Sequence, residues 1–146
     1  FRGAGRRFEF LGEVNGVTIA DDYAHHPTEL EATLRAAKEM DYKRVWAVFQ
    51  PFTYTRTQML LDDFARVLQI ADKVVMTEIM GSRERAEDYA VRTKDLAAKI
   101  PGSVWYDTFD EVVDHVMKNA RPGDLVITLG CGDIYKAAKK MVAWEA

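Results

Sequence analysis

Residues 44–76 read RVWAVFQPFTYTRTQMLLDDFARVLQIADKVVM, and this stretch decides the fold class. It begins with a short apolar run, Arg44–Phe49, which is bounded by Pro51 and is typical of a buried strand. A helix is predicted from about Thr57 to Ile70, and a second strand at Lys73–Met76. The apolar positions that share one face of this helix are Leu60, Phe64, Val67 and Leu68. Strand, helix and strand in this order predict part of a parallel sheet.

The same alternation of apolar strands and amphipathic helices continues on both sides of this unit. Asn15-Gly16 separates two strand-like runs and is the strongest short signal for a β-hairpin, because both residues tolerate positive φ. A helix is predicted at Pro27–Met40 and a further strand at Leu125–Leu129. We therefore predict an α/β, Rossmann-like fold: a mainly parallel sheet with helices on both faces, entered by a β-hairpin. The length favours a single domain over residues 1–146.

Composition argues against several classes of partner and gives a first indication of compartment. The chain is 48% hydrophobic and 29% charged with a net charge of −3, so no charge excess points to nucleic acid or an anionic membrane. No apolar run approaches the roughly 20 residues needed to span a bilayer. Cys131 is the only cysteine, so no internal disulfide can form, which suits the cytoplasm. Residues 1–7, FRGAGRR, lack an initiating Met and look like the end of a linker, so we expect a piece of a longer protein.

Polar and glycine-rich segments follow three of the predicted strands. They are Asp21–Pro27, Gln50–Arg56 and Gly130–Asp133. In parallel α/β sheets, ligands bind beyond the carboxyl ends of the strands. We therefore expect these three segments to meet and to form the site.

The first segment, Asp21–Pro27, combines two acids, a phenol and two imidazoles before a helix N-terminus, which is a suitable setting for phosphate and ribose. Alternatively, Asp21 and Asp22 are turn residues and His26 is a helix cap. A metal site is disfavoured, because adjacent histidines point to opposite faces of an extended chain and no zinc-ligand spacing occurs. His115 is predicted to be a surface residue.

Arg56 is a cation near the start of a helix, where the helix dipole gains nothing from it. This placement suggests an anionic partner, and a guanidinium matches a carboxylate in bidentate fashion. A surface ion pair with Asp62 or Asp63 is the alternative.

Gly130 and Gly132 permit close approach of the backbone, but they form neither a dinucleotide fingerprint nor a P-loop, and Cys131 between them is not expected to be a nucleophile. At the start of the first strand, Arg6 and Arg7 could direct one cation at a phosphate or could be a solvated pair.

Taken together, these segments resemble the C-terminal domain of the Mur ligases, and within that family the alanine-adding branch. The resemblance covers nearly the whole chain and is specific as an ordered set, although the Asp-x-Ala-His-x-Pro pattern alone would indicate only a wider superfamily. It is carried by Arg6–Glu9, Asp21–Glu29, Phe49–Pro51, Thr53–Thr57, Asp62–Ala65, Ser82–Glu84, and Gly130 with Gly132–Ile134.

The resemblance implies that the chain is the third domain of a three-domain, ATP-dependent ligase, whose absent upstream domains hold the UDP-sugar, the P-loop and most of the contacts to Mg²⁺. Its substrates would be UDP-N-acetylmuramate, L-alanine and ATP, joined through an acyl phosphate during synthesis of the peptidoglycan precursor. This fragment alone would be inactive.

The resemblance also implies roles for individual residues. Arg7 would contact the ATP phosphates and Asp22 the ribose, and catalytic His25 would lie where nucleotide and amino acid meet. Tyr23 and Arg56 would form the alanine pocket, and the remaining substrate contacts would come from Gly130 and Gly132.

The chain departs from the family pattern at two positions. Phe52 stands where the family often has histidine, and Cys131 where it usually has alanine. Phe52 removes one possible polar contact to the incoming amino acid. Two other functions stay open: a related ligase that recycles a preformed tripeptide, and a non-catalytic α/β module that binds a nucleotide or an amino acid.

Overall fold

The computed structural model describes residues 8–145, which form a six-stranded sheet with helices on both faces. The strands are β1 (Glu9–Val14), β2 (Val17–Asp22), β3 (Arg44–Phe49), β4 (Lys73–Thr77), β5 (Val104–Tyr106) and β6 (Asp124–Leu129). Their order is β1-β2-β6-β3-β4-β5. Strand β1 runs antiparallel to its neighbour β2. The other neighbouring pairs, which are β2 with β6, β6 with β3, β3 with β4 and β4 with β5, are parallel. The predicted fold class is confirmed.

Two apolar cores cover the two faces of this sheet. The helices are α1 (Pro27–Glu39), α2 (Tyr54–Met59), α3 (Leu61–Leu68), α4 (Thr93–Ala97), α5 (Phe109–Asn119) and α6 (Tyr135–Val142), with one 3₁₀ turn at Ala86–Asp88. Side chains of α1, α3 and α4 pack on one face, around Leu34, Phe64 and Leu96. Those of α5 and α6 pack on the other, around Val112 and Met141. The strands between them are buried on both sides, which accounts for their continuous apolar runs.

The predicted hairpin connects β1 and β2. Asn15 and Gly16 both have positive φ, at 54° and 82°, and Val14 pairs with Val17 across the turn. A Cβ on Gly16 would also lie 2.8 Å from the Pro122 side chain, so glycine is required there for space as well as for conformation.

Two predicted elements differ in extent. The helix predicted at Thr57–Ile70 is two helices, α2 and α3, which meet at Leu60, whose φ and ψ are −110° and 22°. It also begins earlier, because the Thr53 hydroxyl accepts from the Arg56 amide and caps α2. Strand β2 includes Asp21 and Asp22, which were expected to follow it, so the turn alternative is wrong for them.

The prediction that His115 lies on the surface is wrong for its imidazole, which is half-buried. Its Nδ1 lies 3.0 Å from the Tyr106 hydroxyl, and its ring contacts the edge of Trp46 at a centroid distance of 6.2 Å. Burial lowers the pKa of His115, and the nearby charge of Lys73 acts in the same direction.

A buried carboxylate fixes the amino ends of β3 and β6. Asp124 is 1% exposed and accepts hydrogen bonds from the Arg44 guanidinium at 2.8 Å, the Trp46 indole at 3.0 Å and the Arg121 amide at 3.0 Å. Burial opposes its ionisation, but these donors outweigh burial and hold the pKa of Asp124 below its usual value.

We expect Asp124→Asn to lower the free energy of unfolding by about 2–4 kcal/mol near neutral pH, because the amide turns a donor towards the other donors. The folded-state pKa is depressed, so the stabilisation by Asp124 is complete above the pKa of the unfolded chain. It is lost as pH falls through the folded-state pKa. Urea denaturation at neutral and acid pH should therefore show a difference that shrinks on acidification. Asp110→Asn, at an 80% exposed side chain, is the matched control, and an equal effect of both substitutions would contradict the assignment.

Candidate functional site

The three segments expected to form the site do meet at the carboxyl ends of adjacent strands β2, β6 and β3. The Gly130 amide donates to the Asp22 carbonyl at 3.3 Å, and the Gln50 amide donates to the Leu129 carbonyl at 3.0 Å. The Gln50 side chain then crosses to the third segment, where its Nε2 donates to Asp133 at 2.9 Å. These bonds join the segments into one surface.

A fourth segment, after β4, completes this surface and was not predicted. Met80 pairs with Phe52, and its carbonyl accepts from the Thr53 amide at 2.8 Å. The Met80 amide donates to the Pro51 carbonyl at 2.9 Å. The signal was available in the sequence, because β4 is also a parallel strand and the residues after its carboxyl end belong to the same edge of the sheet.

Asp22 is fully buried and holds the start of the described chain against α1. Its Oδ2 accepts from the Phe8 amide at 3.2 Å and the Thr33 hydroxyl at 3.1 Å, and its Oδ1 accepts from the Ala24 amide at 2.8 Å. In this structure the Asp22 carboxylate therefore accepts hydrogen bonds from donors of the chain itself. Ribose binding by Asp22 stays a prediction.

The adjacent histidines His25 and His26 make different contacts. His26 caps α1: its ring accepts from the Thr28 amide at 3.4 Å, while Glu29 accepts from the His26 amide, completing a capping box. The capping alternative is thus confirmed for His26. His25 lies beside it with Nδ1 3.2 Å from the Tyr23 carbonyl and 3.4 Å from Glu29. Both partners only accept, so Nδ1 is assigned a hydrogen.

A cleft of about 400 Å³ opens between the first and third segments. Tyr23 and Tyr135, which are 40% and 41% exposed, line it together with Asp21 and the Gly130–Gly132 turn. Half-exposed aromatic rings beside glycine backbone can accommodate a flat or hydrogen-bonding ligand.

Gln50 packs closely against both glycines of this turn. A Cβ on Gly132 would lie 2.6 Å from Gln50 Oε1, and one on Gly130 would lie 3.1 Å from the Gln50 carbonyl. Gly130 also has φ of 147°. The close approach predicted for these glycines is therefore an approach of Gln50, by its backbone carbonyl at Gly130 and by its side chain at Gly132, and their contact with substrate stays a prediction.

Arg56 is half-buried on α2, and its guanidinium forms no hydrogen bond or ion pair within residues 8–145. The alternative partners are occupied: Asp62 pairs with Lys99 at 3.0 Å and Asp63 with Arg66 at 3.4 Å. The surface-pair alternative is therefore wrong. Burial raises the pKa of the Cys131 thiol and the charge of Arg56 opposes this, so the charge of Arg56 acts on the turn that lines the cleft.

Glu84 holds the first turn of α2. Its Oε1 accepts from the amides of Tyr54 and Thr55, and its Oε2 accepts from the Thr55 hydroxyl at 2.6 Å. The Thr55 hydroxyl, followed by the two amides, keeps the pKa of Glu84 below its usual value. Thr53, just before this turn, has φ of 65°, which a β-branched residue adopts only when its surroundings enforce it. Glu84 is thus the residue that fixes the position of Arg56.

We expect Glu84→Ala to release the start of α2, because two amides lose their acceptor. Hydrogen exchange at the Tyr54 and Thr55 amides, measured by NMR, should accelerate on the order of tenfold or more. Glu87→Ala is the control, since the exposed Glu87 side chain pairs only with Arg85. Unchanged exchange in Glu84→Ala would show that the Thr53 turn holds itself.

Some predictions concern a residue outside the described range, and others concern a metal or a membrane. Arg7 and its proposed contact with ATP phosphates lie outside the described residues. Within residues 8–145, no group of three or more His, Cys, Asp or Glu side chains is arranged to hold a metal ion. Over the same range, no helix combines the length and apolar character needed to cross a bilayer.

Comparison with known proteins supports the resemblance. The family model for "Mur ligase, glutamate ligase domain" matches residues 6–132. Curated relatives include the UDP-N-acetylmuramate–L-alanine ligases of Acetivibrio thermocellus, at 44% identity over 98% of this chain, and Lachnospira eligens, at 45% over 97%. The chain spans 32% of the length of each of these relatives.

Solved structures agree with this assignment. The UDP-N-acetylmuramate–alanine ligase of Thermotoga maritima matches with a TM-score of 0.76 and 25% identity, over 98% of this chain and 30% of that one. A murein peptide ligase of Psychrobacter arcticus matches with a TM-score of 0.75 and 26% identity, over the same shares. On the family match over most of its length, the chain belongs to the Mur ligases, as their glutamate ligase domain.

Proposed function

We propose that this chain works as the third, C-terminal domain of an ATP-dependent ligase that joins L-alanine to UDP-N-acetylmuramate in the cytoplasm. The observation that carries the proposal is the half-buried Arg56 guanidinium, which forms no hydrogen bond or ion pair within residues 8–145 and interacts with Glu84 only from beyond ion-pair distance. Such a cation has a suitable partner in the α-carboxylate of an amino acid. The alanine-ligase names of the curated relatives support the choice of alanine.

In this proposal Arg56 binds the alanine carboxylate and thereby orients the amine. Tyr23 would close the pocket from the side of β2. The rigidity of the arrangement comes from Glu84, which fixes α2 through two amides and one hydroxyl. A pre-formed cation that keeps its position during the reaction lowers the reorganisation needed at the transition state.

ATP would supply the phosphoryl group that activates the muramyl carboxyl group. The cleft between Tyr23 and Tyr135 fits part of a nucleotide, with open glycine backbone between two half-exposed rings. His25 would act at the junction of nucleotide and amino acid, with Nδ1–H held by the Tyr23 carbonyl and Glu29. Asp22 and Arg7 would complete the nucleotide contacts. Mg²⁺ would be held mainly by the upstream domains.

The recycling of a preformed tripeptide is the second candidate. The observation that favours it is the near-equal structural match to the murein peptide ligase, with a TM-score of 0.75 against 0.76. The curated relatives at 44–45% identity carry the alanine-adding name, and this supports the first candidate.

The test is a chimaera in which this chain replaces the matching third of the Acetivibrio thermocellus ligase. Phosphate release is measured with UDP-N-acetylmuramate, ATP and Mg²⁺, and with alanine or tripeptide as the amine donor. Alanine-dependent release would support the first candidate, and tripeptide-dependent release the second. A folded chimaera that is inactive with every amine, beside an active parent enzyme, would contradict both and favour a non-catalytic binding module.

A further inference from the structure

A second cleft lies at the opposite edge of the sheet, far from the candidate site along the strands. It has a volume of about 230 Å³ and opens at the amino ends of β3 and β4, beside β5 and the last turns of α5. Its floor is apolar and consists of Trp46, Val75 and Val104. Since a water molecule occupies about 30 Å³, the cleft has room for a small ligand.

The rim of this cleft is cationic. Arg44, Lys73 and Arg121 line it together with His115, and no carboxylate is among its lining residues. The chain as a whole has a net charge of −3, so this concentration does not reflect its average composition. Converging cations around a partly enclosed cavity raise the local concentration of anions.

The cations differ in how they are held. Arg44 is fixed, because it binds the buried Asp124 through Nε and Nη2 and stacks over Trp46 at 5.6 Å. By contrast, neither the Lys73 ammonium nor the Arg121 guanidinium forms a hydrogen bond or ion pair in the part of the chain that the structure describes. Asp124 neutralises Arg44, so two positive charges at the cleft stay uncompensated.

His115 lines this cleft, and its protonation depends on the charges there. The Tyr106 hydroxyl holds its Nδ1 at 3.0 Å, and Trp46 packs on its ring. Among the charged groups around it, Lys73 disfavours the imidazolium and Asp114 favours it, while burial adds the largest opposition. An anion that settles between Lys73 and Arg121 would therefore stabilise the imidazolium.

We propose that this cleft is a second binding site, which takes the phosphate group of a small phosphorylated metabolite. The two uncompensated cations, Lys73 on β4 and Arg121 in the turn before β6, suit a dianion better than a single carboxylate, which one guanidinium already satisfies. The apolar floor would receive part of the organic group. The site is independent of the proposed ligase function, because none of its residues belongs to the candidate site.

The probe is inorganic phosphate, added to the chain at a series of pH values from weakly acidic to slightly alkaline while NaCl keeps the ionic strength constant. The imidazole resonances of His25, His26 and His115 are followed by NMR and assigned with His115→Gln. We expect a saturable change at His115 alone, in the sense of greater protonation, with a dissociation constant on the order of millimolar. Acetate at the same concentration should have a much smaller effect.

Variants make the assignment specific. Lys73→Gln combined with Arg121→Gln should abolish the saturable change, whereas Lys94→Glu on α4, which lowers the net charge by the same two units, should leave it intact. The proposal is overturned if phosphate moves all three histidines alike, or if the change persists in the double variant. An equal effect of acetate would replace the phosphate assignment with a general anion site and so also overturn it.

Discussion

Arg56→Gln should raise the KM for alanine by about 100-fold or more in the chimaeric ligase, with a smaller effect on the rate at saturating alanine. Two charge-assisted hydrogen bonds to a carboxylate contribute about 1.5–3 kcal/mol each, and the loss of 2.7 kcal/mol corresponds to about 100-fold. Glutamine keeps a polar group of similar length but has neither the charge nor the forked geometry. Steady-state phosphate release over a range of alanine concentrations separates KM from kcat.

The matched control for this variant is Arg66→Gln on the neighbouring helix α3. Arg66 is 61% exposed and pairs with Asp63 and Glu31, so its loss should leave both kinetic constants within about twofold. Arg56→Lys should recover only part of the affinity, since an ammonium keeps the charge without the fork. An unchanged KM in a folded Arg56→Gln chimaera would show that the carboxylate binds elsewhere.

Asp22→Ala should lower the free energy of unfolding of the domain by about 3–5 kcal/mol, a large share of the roughly 5–15 kcal/mol available. The variant removes a fully buried carboxylate and leaves three donors without an acceptor: the Phe8 amide, the Ala24 amide and the Thr33 hydroxyl. Urea denaturation followed by circular dichroism measures the change.

Two further variants separate stability from nucleotide binding at this position. Asp63→Ala removes an exposed carboxylate of α3 and should change stability by less than about 1 kcal/mol. Thr33→Val removes one donor to Asp22 without touching any surface that a nucleotide could reach, because Thr33 is fully buried. If Asp22→Ala keeps wild-type stability but loses apparent ATP affinity, the structural role is wrong and the ribose role gains support.

Elements with strong local signals were predictable from the sequence. The hairpin follows from Asn15-Gly16, whose backbone preference does not depend on the rest of the fold. Helix α1 follows from Pro27 and the apolar period behind it. The split between α2 and α3 was not predictable, because the apolar period of Leu60, Phe64 and Leu68 passes through it unbroken. The apolar period shows which side of a helix faces the core. Where the helix ends depends on its capping interactions, which the period does not show.

The candidate site was predictable in location but not in detail. Topology alone placed the segments after β2, β3 and β6 together. Which groups a side chain contacts depends on the tertiary structure. The sequence therefore could not show that Arg56 forms no ion pair with Asp62 or Asp63, each of which pairs with another residue. The dependence of α2 on Glu84 joins residues about thirty positions apart, and no local pattern encodes it.

Strand β6 is the last of the six to be synthesised and yet lies at the centre of the sheet, between β2 and β3. On the ribosome, the nascent chain can form the β1–β2 hairpin and the β3–β4–β5 parallel unit, but no strand pairing joins them until residues 124–129 have emerged, and only α1, which packs on α3 and β3, connects them earlier. Until then, β2 and β3 each present an unpaired inner edge. We infer that the sheet of this domain closes late, after its last strand has been synthesised.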